Sequence, residues 1–201
     1  MEGYPKSSFA DYSVGPASRT EANPLVLSHY LHRWPGVCVL TLGMWRGPFL
    51  VGVIVFALPP RETMKRYGVP LVWELARLYI MDSEPFNSET WFMSRAIKFV
   101  KSNHPAVKAL VSYADPSHGH SGTIYRAANW QQDGRTDQER KTPRFDYGVG
   151  SKVYSRRSHV PDGAEVSRIP RVSKFRYVYH FEKPTNPPSR REVLPYLEAQ
   201  V

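Results

Sequence analysis

The sequence predicts a mixed α/β (α+β) fold in which a central sheet carries flanking helices. Apolar runs typical of buried strands alternate with segments of helical period in the middle of the chain, which is the pattern of a mixed sheet covered by helices. A length of 201 residues suits one domain, and 41% hydrophobic residues supply a core of ordinary size. The 18 prolines and 13 glycines indicate many loops.

The first predicted element is a β-hairpin. Val37–Trp45 and Phe49–Leu58 are rich in Val, Leu, Ile and Phe, and Arg46-Gly47-Pro48 joins them. This turn also interrupts the longest apolar stretch, residues 36–58, so the stretch does not predict a membrane span. The first residues show no basic start followed by an apolar run, so we expect neither a secretory signal nor a membrane partner.

Five further elements follow the hairpin. They are a strand over Val72–Met81, a helix from Asn87 or Ser88 to Asn103, a strand over Lys108–Ala114, a helix over Gly122–Asn129 and a strand over Ser173–Glu182. In the first helix, Trp91, Phe92 and Ala96 recur at helical spacing, so they are predicted to be core residues. Alternation in the last strand places Tyr177 and Val178 on opposite faces of the sheet.

The expected domain organisation is a flexible tail over residues 1–24, one domain over 25–183 and a second tail over 184–201. Residues 131–171 show no clear period and many charges. They predict a long basic insertion before the last strand, of the kind that serves a function or moves.

The charge of the chain points to a polyanionic partner. Lys and Arg number 27 against 18 Asp and Glu, a net charge of +9. Residues 134–191 hold 14 basic and 6 acidic residues, a net charge of +8. Such a concentrated positive field attracts nucleic acid, although a merely solvated surface is the alternative. The single cysteine, Cys38, excludes an internal disulfide and a cysteine zinc finger, and it favours a reducing, cytoplasmic compartment.

The densest polar segment runs from Leu110 to Trp130. It brings Asp115, His118, His120 and Tyr125 to a strand end, a turn and a helix start. Sheets of this class bind ligands at such a crevice, so we expect a site there rather than a simple capped turn. His118 and His120 are two residues apart and point to opposite sides of an extended loop. They form a metal site only with additional ligands such as Asp115 and His29.

Arg77 lies inside an apolar strand, where an unpaired charge is costly. We therefore expect it to contact either a carboxylate or an anionic ligand. Glu74 lies three residues earlier and falls on the other face of a regular strand, so Asp115 is the expected partner. Trp130 lies beside the polar loop, where core packing and contact with a nucleobase both remain open.

Four pieces of the sequence carry a resemblance to a known family. They are His29-Tyr30, Glu74-Leu75-Ala76-Arg77-Leu78, Asn87-Ser88-Glu89-Thr90, and Ser112-Tyr113-Ala114-Asp115 with Gly119-His120-Ser121-Gly122-Thr123-Ile124-Tyr125-Arg126-Ala127-Ala128-Asn129-Trp130. Over residues 25–183 the chain resembles the phage Mom family. The resemblance implies a GNAT-like acyltransferase fold. It also implies a transferase that places a carbamoylmethyl group on N6 of adenine in phage DNA and so shields that DNA from restriction.

The resemblance matches His29, Tyr30, Arg77, Thr90, Asp115 and Tyr125 to positions that matter in the family. Their roles and the remaining candidates follow from residue type and place in the chain. The expected catalytic residues are Asp115 as general base, Tyr125 as an orienting group or proton donor, Arg77, His29 and Tyr30. Asn87, Ser88, Thr90 and Ser112 are expected to bind the donor, and Thr90 keeps the hydroxyl of the serine that the family often has there. The expected DNA contacts are Arg126, Asn129, Trp130, Arg144, Lys152, Arg156, Arg157, Arg168 and Arg171.

The identity of the donor stays open between acetyl-coenzyme A and an aminoacyl ester such as glycyl-tRNA. Relatives of this fold wrap pyrophosphate with a glycine-rich turn, but residues 82–88 contain no glycine. Iron held by His29, His118 or His120 is a further alternative. We expect double-stranded DNA as partner, with tRNA and a second copy of the chain as additional partners, in the cytoplasm of an infected host. A transferase acting on RNA or a small amine, and a non-catalytic DNA-coating protein, are the rival functions.

Overall fold

A computed structural model describes residues 9–138, 141–154 and 159–182. The strands are β1 (Tyr12–Pro16), β2 (Cys38–Arg46), β3 (Phe49–Ala57), β4 (Val72–Ile80), β5 (Ala109–Ala114), β6 (Gln131–Arg135), β7 (Phe145–Val149), β8 (Lys152–Tyr154), β9 (Ser167–Pro170) and β10 (Phe175–His180). The helices are α1 (Arg19–Ser28), α2 (Arg61–Arg66), α3 (Ser88–Asn103) and α4 (Thr123–Ala127), with one 3-10 turn at Pro116–His118.

Seven strands form the central sheet in the order β1-β2-β3-β4-β5-β10-β6. Helix α3 packs on one face, against a core that includes Phe56, Phe92 and Tyr177. Helices α1 and α2 lie on the other face, over Val53 and Val178 respectively. The sheet is therefore mixed and covered on both faces, which confirms the predicted fold class. The alternation predicted for the last strand is also confirmed, because Tyr177 and Val178 belong to cores on opposite faces.

The predicted hairpin, the third strand, the long helix and the fourth strand are confirmed as β2–β3, β4, α3 and β5. Helix α4 is shorter than predicted. It begins after Gly122, and Ser121 does not cap it, because its hydroxyl pairs with that of Thr123 at 3.0 Å.

The prediction of a flexible tail over residues 1–24 is wrong from Tyr12 onward. β1 pairs antiparallel with β2 at the edge of the sheet. Ser18 then starts α1 with a capping box, accepting from the N–H of Glu21 while the Glu21 carboxylate accepts from the N–H of Ser18. The short β1 and the polar start of α1 carry little hydrophobic periodicity, so the sequence pattern did not predict them.

The predicted basic insertion over 131–171 contains regular structure as well. β6 pairs with β10 and forms an edge of the central sheet. β7, β8 and β9 form a separate antiparallel sheet in the order β8-β7-β9, which we call the small sheet. The predicted C-terminal tail, 184–201, lies outside the described residues.

The central feature for function is the pairing of β4 with β5. These parallel strands pair only over Val72–Glu74 and Ala109–Val111. Beyond this point β4 continues with β3 alone as its neighbour, while β5 continues beside β10. The two strands therefore diverge, and a gap opens through the middle of the sheet.

A β-bulge changes the faces of β4 at the start of this gap. Leu75 pairs with Phe56 and Arg77 pairs with Val55, so Ala76 is an additional residue in the ladder. One extra residue reverses the alternation, and Glu74 and Arg77 consequently share a face although they are three positions apart.

We expect Gly122→Ala to lower the free energy of unfolding by about 2–4 kcal/mol, since it combines a left-handed backbone with a clash. Gly122 has φ +79°, and an added Cβ would lie 2.2 Å from Cε2 of Tyr177. Gly119→Ala is the matched control, because Gly119 has φ +74° but open space around its Cα. Gly119→Ala should lower the free energy of unfolding by about 1 kcal/mol, and urea denaturation measures both variants. Equal losses for the two variants would contradict the clash.

Candidate active site

A cleft of about 940 Å³ occupies the gap between β4 and β5. Residues 28–31 at the end of α1, the diverging parts of both strands, the loop before α4 and Lys174 all line it. Because the gap passes through the sheet, side chains from both faces reach the same space. The predicted catalytic residues His29, Tyr30, Arg77 and Tyr125 line this cleft together with Ser112.

A hydrogen-bonded chain crosses the floor of the cleft. Ser112 Oγ lies 2.8 Å from the Leu75 carbonyl and 2.7 Å from the Tyr125 hydroxyl. The serine has one proton and the carbonyl only accepts, so Ser112 donates to Leu75 and Tyr125 donates to Ser112. Burial raises the pKa of Tyr125 to about 12. Tyr125 therefore remains protonated, and Ser112, predicted to bind the donor, uses its hydroxyl within the protein.

Arg77 does not contact Asp115, so the expected ion pair is wrong. Its Nε donates to the Arg33 carbonyl at 2.8 Å, and its Nη1 donates to the carbonyl of Ala76. The side chain is buried and lines the cleft. Burial lowers its pKa, the positive charge of Arg33 adds to this effect, and Glu74 opposes it. Among the described residues Arg77 forms no ion pair.

Asp115 is buried beside the cleft and is fully engaged. Its Oδ1 accepts from the Ser117 N–H at 3.1 Å and from the Ser117 hydroxyl, and its Oδ2 lies 2.8 Å from Nζ of Lys174. Burial alone would raise the pKa of Asp115, but the hydrogen bonds from Lys174 and Ser117 outweigh it and hold the pKa below its ordinary value. The carboxylate is thus ionised and weakly basic.

Glu74 is the functional candidate that sequence reasoning missed. Its carboxylate lines the cleft, and no described residue pairs with it or donates a hydrogen bond to it. Burial raises its pKa, against the opposing charges of Arg77 and Lys174. A poorly solvated, unpaired carboxylate in a cleft is the environment of a proton acceptor. A regular strand would turn Glu74 away from Arg77, and only the bulge at Ala76 brings them together.

His29 and Tyr30 follow α1 and form part of the cleft wall. His29 ends the helix, and its Nδ1 accepts from the Leu31 N–H at 3.1 Å. Burial lowers the pKa of His29 to about 4, with Arg77 contributing, so the imidazole is neutral at physiological pH. The described part of the chain contains no group of three or more His, Cys, Asp or Glu side chains that could hold a metal ion. His118 and His120 instead contact the ring of Tyr30.

Three of the predicted donor-binding residues lie in a neighbouring pocket of about 380 Å³ at the start of α3. Asn87, Ser88 and Thr90 line it. Asn87 occupies the N-cap position with φ 68°, but its side chain makes no capping hydrogen bond. Ser88 Oγ donates to the Pro85 carbonyl.

This helix start is a poor match for the diphosphate of coenzyme A, mainly because of its charge. A helix N-terminus binds anions through free N–H groups, and one of the several at the start of α3, that of Ser88, already donates to the Pro85 carbonyl at 3.2 Å. Asp82 and Glu89 line the same pocket and repel an anion. The loop before α3 is also fixed, because the Glu84 carboxylate accepts from the Tyr12 hydroxyl at 2.7 Å. We therefore derive no step that passes through coenzyme A.

The residues predicted to contact DNA differ in how exposed their side chains are. Trp130 is only 4% exposed and packs against Tyr125 and Tyr179, so the prediction that this side chain contacts a base is wrong. Arg126 is exposed, but it donates to the Ser121 carbonyl and to the Tyr177 hydroxyl. Asn129 is exposed and adopts φ 62°.

The remaining predicted contacts lie in or beside the small sheet. Lys152 and Arg168 are exposed there, and Arg168 lies over the ring of Phe145. Arg144 pairs with Asp137 at 2.9 Å, and Arg171 makes two bonds to Asp146. Arg156 and Arg157 lie outside the described residues.

Solved structures define the class to which this fold belongs. The chain is similar to a Bacillus subtilis acetyltransferase solved with CoA, with a TM-score of 0.51 and 12% identity over 85% of this chain and 98% of that one. It is also similar to a GNAT family acetyltransferase from Elizabethkingia anophelis with acetyl-CoA bound (TM-score 0.50, 9% identity, 86% and 99% covered). A ribosomal-protein-S5-alanine acetyltransferase from Vibrio fischeri gives a TM-score of 0.53 at 6% identity, covering 89% and 98%. The fold is that of the GNAT acyltransferases.

Sequence comparison identifies the family within that class. The Mom protein family matches residues 11–198, and the chain belongs to it. The methylcarbamoylase Mom of Escherichia phage Mu is 34% identical over 107 residues, which cover 51% of this chain and 44% of that protein. The aligned part thus spans less than half of the length of this relative.

Among the described helices, none combines the length and the apolar character that crossing a membrane requires.

We expect Asp115→Asn to lower the free energy of unfolding by about 1 kcal/mol at pH 7, because the half-exposed Lys174 loses its ionic partner. The pKa of Asp115 is lower in the folded chain, so the stabilising effect is full above the ordinary aspartate value of 3.8 and is lost as the pH falls through the folded-state pKa. Urea denaturation at pH 7 and in the acidic range checks this. A difference between variant and wild type that persists at low pH would contradict it.

Proposed function

We propose that this chain is a DNA modification enzyme that transfers an acyl- or glycyl-derived group to N6 of adenine, giving N6-carbamoylmethyladenine and protecting phage DNA from restriction. The observation that carries the proposal is the cleft between β4 and β5 in a chain of the Mom family. There Glu74, which no described residue pairs with, lies beside the protonated Tyr125. The methylcarbamoylase activity in the name of the phage Mu relative supports the same chemistry.

The chemistry requires removal of a proton from a weak nucleophile. The lone pair of the exocyclic N6 is delocalised into the ring, and in a duplex the base is also paired and stacked. The enzyme must extrude the base at a cost of a few kcal/mol and then accept a proton from N6 as it attacks.

Two carboxylates are candidates for the proton acceptor. Asp115 is the one expected from the sequence, and Glu74 is the one with free oxygens in the cleft. The low pKa and full set of partners of Asp115 favour a positioning role, in which it holds Lys174 and the loop before α4. The raised pKa and unpaired state of Glu74 favour proton acceptance. The Tyr125 proton is engaged by Ser112, so Tyr125 is left to orient the base through its hydroxyl oxygen, and Arg77 supplies positive charge near the developing oxyanion.

The test of the proposed function is mass spectrometry of nucleosides from plasmid DNA of cells that express the full chain. A modified adenosine is expected in the wild type. Unmodified DNA would favour the non-catalytic DNA-coating protein, and modified RNA without modified DNA would favour the other acceptor.

We expect Glu74→Gln to reduce the modification rate by about 10²–10⁴-fold, the usual contribution of a general base. In the wild type the rate should rise with pH through the raised pKa of Glu74, since the base acts in its ionised form. Glu74→Gln should lose this limb of the pH profile. Asp115→Asn should retain the limb at a reduced rate. The reverse pattern would return the role of base to Asp115.

We further propose that the donor is an activated glycyl ester such as glycyl-tRNA. A carbamoylmethyl group contains one nitrogen more than an acetyl group, and glycine has the required skeleton. N6 attacks the ester carbonyl, the alcohol leaves, and a glycyl amide forms. The glycine amine then attacks C6, the bond between C6 and the original N6 breaks, and that nitrogen remains as the carboxamide. The poor fit of a diphosphate at the start of α3 supports a donor other than acetyl-coenzyme A.

Glycine labelled with nitrogen-15 and carbon-13, fed to expressing cells, tests this donor. We expect both labels in the modified base, with nitrogen-15 bonded to C6. Modified base without carbon derived from glycine would exclude the rearrangement and favour activation of an acetyl methyl group.

The small sheet is proposed to contact the DNA backbone through Lys152 and Arg168. Replacing both by glutamine should weaken binding about equally for different sequences and reduce the salt slope by about 0.9 per lost phosphate contact. Lys101→Gln, an exposed change in α3, is the control and should leave the slope unchanged. Binding measured over a salt series checks this, and an unchanged slope in the double variant would assign the DNA surface to another part of the chain.

A further inference from the structure

The two faces of the small sheet differ in their chemistry. Tyr147 of the central strand β7 pairs with Tyr154 of β8 and with Arg168 of β9, and Val149 pairs with Lys152. Paired residues of antiparallel strands share a face, and so do alternate residues of one strand. One face of these strands therefore combines three aromatic rings and two cations with no carboxylate, namely Phe145, Tyr147, Tyr154, Lys152 and Arg168, beside Val149 and Pro170. We call it the aromatic face.

Side-chain contacts agree with this assignment. The rings of Phe145 and Tyr147 lie 5.5 Å apart in an edge-on arrangement. The guanidinium carbon of Arg168 lies 4.6 Å from the centre of the Phe145 ring. The cation and the rings thus form one continuous surface across the neighbouring strands β7 and β9.

The opposite face of the small sheet carries the carboxylate of these three strands. Asp146 accepts two bonds from the guanidinium of Arg171 there, so its charge is compensated. Ser167 and Ile169 fill the space beside Gly148, where an added Cβ would meet both of them. The positive charge of the aromatic face is consequently not opposed by a carboxylate on the same face of these strands.

The aromatic face is not part of the core. Among the described residues, Phe145, Tyr147 and Tyr154 belong to none of the hydrophobic clusters that pack against the central sheet. The three residues are half-buried, whereas Lys152 and Arg168 are exposed. Rings held on a sheet surface beside exposed cations are the arrangement by which proteins stack nucleobases and hold their phosphates.

The small sheet begins and ends near the rim of the cleft. β7 follows Arg144, which lines the cleft together with its ion-pair partner Asp137. β9 ends shortly before Lys174, which also lines the cleft. A nucleic-acid strand with one base in the cleft therefore has its neighbouring nucleotides close to the small sheet.

Charge and ring chemistry distinguish the possible occupants of the aromatic face. An apolar protein surface would bury Lys152 and Arg168 without partners, which is costly. An acidic peptide would satisfy the two cations, but the faces of aromatic rings carry partial negative charge and do not attract carboxylates. An unpaired stretch of nucleic acid satisfies both features, because its bases stack on rings and its phosphates pair with cations.

We infer that the aromatic face stacks on unpaired bases of the DNA strand beside the cleft, with Tyr147 as the central stacking residue. Lys152 and Arg168 hold the phosphates of the same nucleotides. The inference rests on the proposed function, which supplies DNA as the polymer and base extrusion as the source of unpaired bases. It adds base stacking to the phosphate contacts proposed above, and it predicts recognition of an opened strand.

The experiment measures fluorescence anisotropy of the full chain with a labelled single-stranded DNA of about 12 nucleotides at constant salt. A strand of equal length in which the bases are replaced by abasic sites has the same charge without the rings. We expect wild-type protein to bind the strand with bases more tightly than the abasic strand, by about 5- to 150-fold for each stacked base. Equal binding of the two strands would show phosphate contacts alone and would overturn the inference.

Variants of the full chain assign the stacking to the aromatic face. Tyr147→Leu should lose the advantage of one stacked base, about 5- to 150-fold, while its affinity for a fully paired duplex stays unchanged. Tyr147→Phe keeps the ring and should retain most of the single-strand affinity. Phe49→Leu is the matched control, because Phe49 is an exposed ring at the turn between β2 and β3. Folded Tyr147→Leu with wild-type affinity for the single strand would overturn the inference.

The remaining outcomes separate the aromatic face from other ligands and from the proposed chemistry. Base-dependent binding of RNA but not of DNA, or equal competition by a poly-glutamate peptide of the same charge, overturns the assignment to a DNA strand. Modified DNA from a chain whose binding does not depend on bases overturns the stacking alone. Base-dependent DNA binding through Tyr147, in a chain that leaves nucleosides unmodified, supports the stacking and overturns the proposed chemistry.

Discussion

The divergence of β4 from β5 is the constraint on which the rest of the site depends. The strands pair for three residues and then separate, so two rows of backbone groups lose their partners in the middle of a sheet. The Ser112 hydroxyl accommodates one of them by donating to the Leu75 carbonyl and accepting from Tyr125. The same chain of hydrogen bonds that satisfies the opened backbone also orients the phenol toward the cleft. The hydrogen bonds that stabilise the opened backbone therefore also position a side chain of the candidate active site.

The gap in the sheet also determines which charged side chains can be buried beside it. Among the described residues Arg77 has no carboxylate partner, and it can be buried because two backbone carbonyls, one at the bulge and one in a nearby loop, accept from it. Burial keeps His29 neutral, the field of Arg77 adds to this effect, and the same field offsets part of the desolvation of Glu74. In and beside the cleft the chain therefore combines the fixed cation of Arg77, the ionised carboxylate of Asp115 paired with Lys174, and the Glu74 carboxylate, whose pKa is raised. Environments that separate the pKa values of two carboxylates also separate their roles.

Sequence reasoning predicted the elements with strong periodicity and missed those that depend on tertiary contacts. The hairpin and α3 carry long apolar patterns, so their positions followed directly. β1 and β6 are short edge strands whose pairing is decided by their neighbours. Glu74 was assigned to the wrong face because a bulge leaves no mark in the residue pattern, and the partner of Arg77 was wrong because backbone carbonyls are invisible to side-chain arguments. The polar segment around Asp115 lies at a strand end, a turn and a helix start, as the residue pattern predicted, whereas burial of Trp130 required the packing of Tyr179 to be known.

The position of β10 has a consequence for how the chain is made. β10 lies between β5 and β6, so β5 has an unpaired edge until the residues up to His180 have left the ribosome. Lys174, which pairs with Asp115, emerges at the same late stage. A nascent chain that stops before β10 therefore exposes a hydrophobic strand edge of the kind that chaperones protect and that promotes aggregation. Assembly of the cleft is thus tied to completion of the sheet, and a partly synthesised chain cannot form the finished cleft.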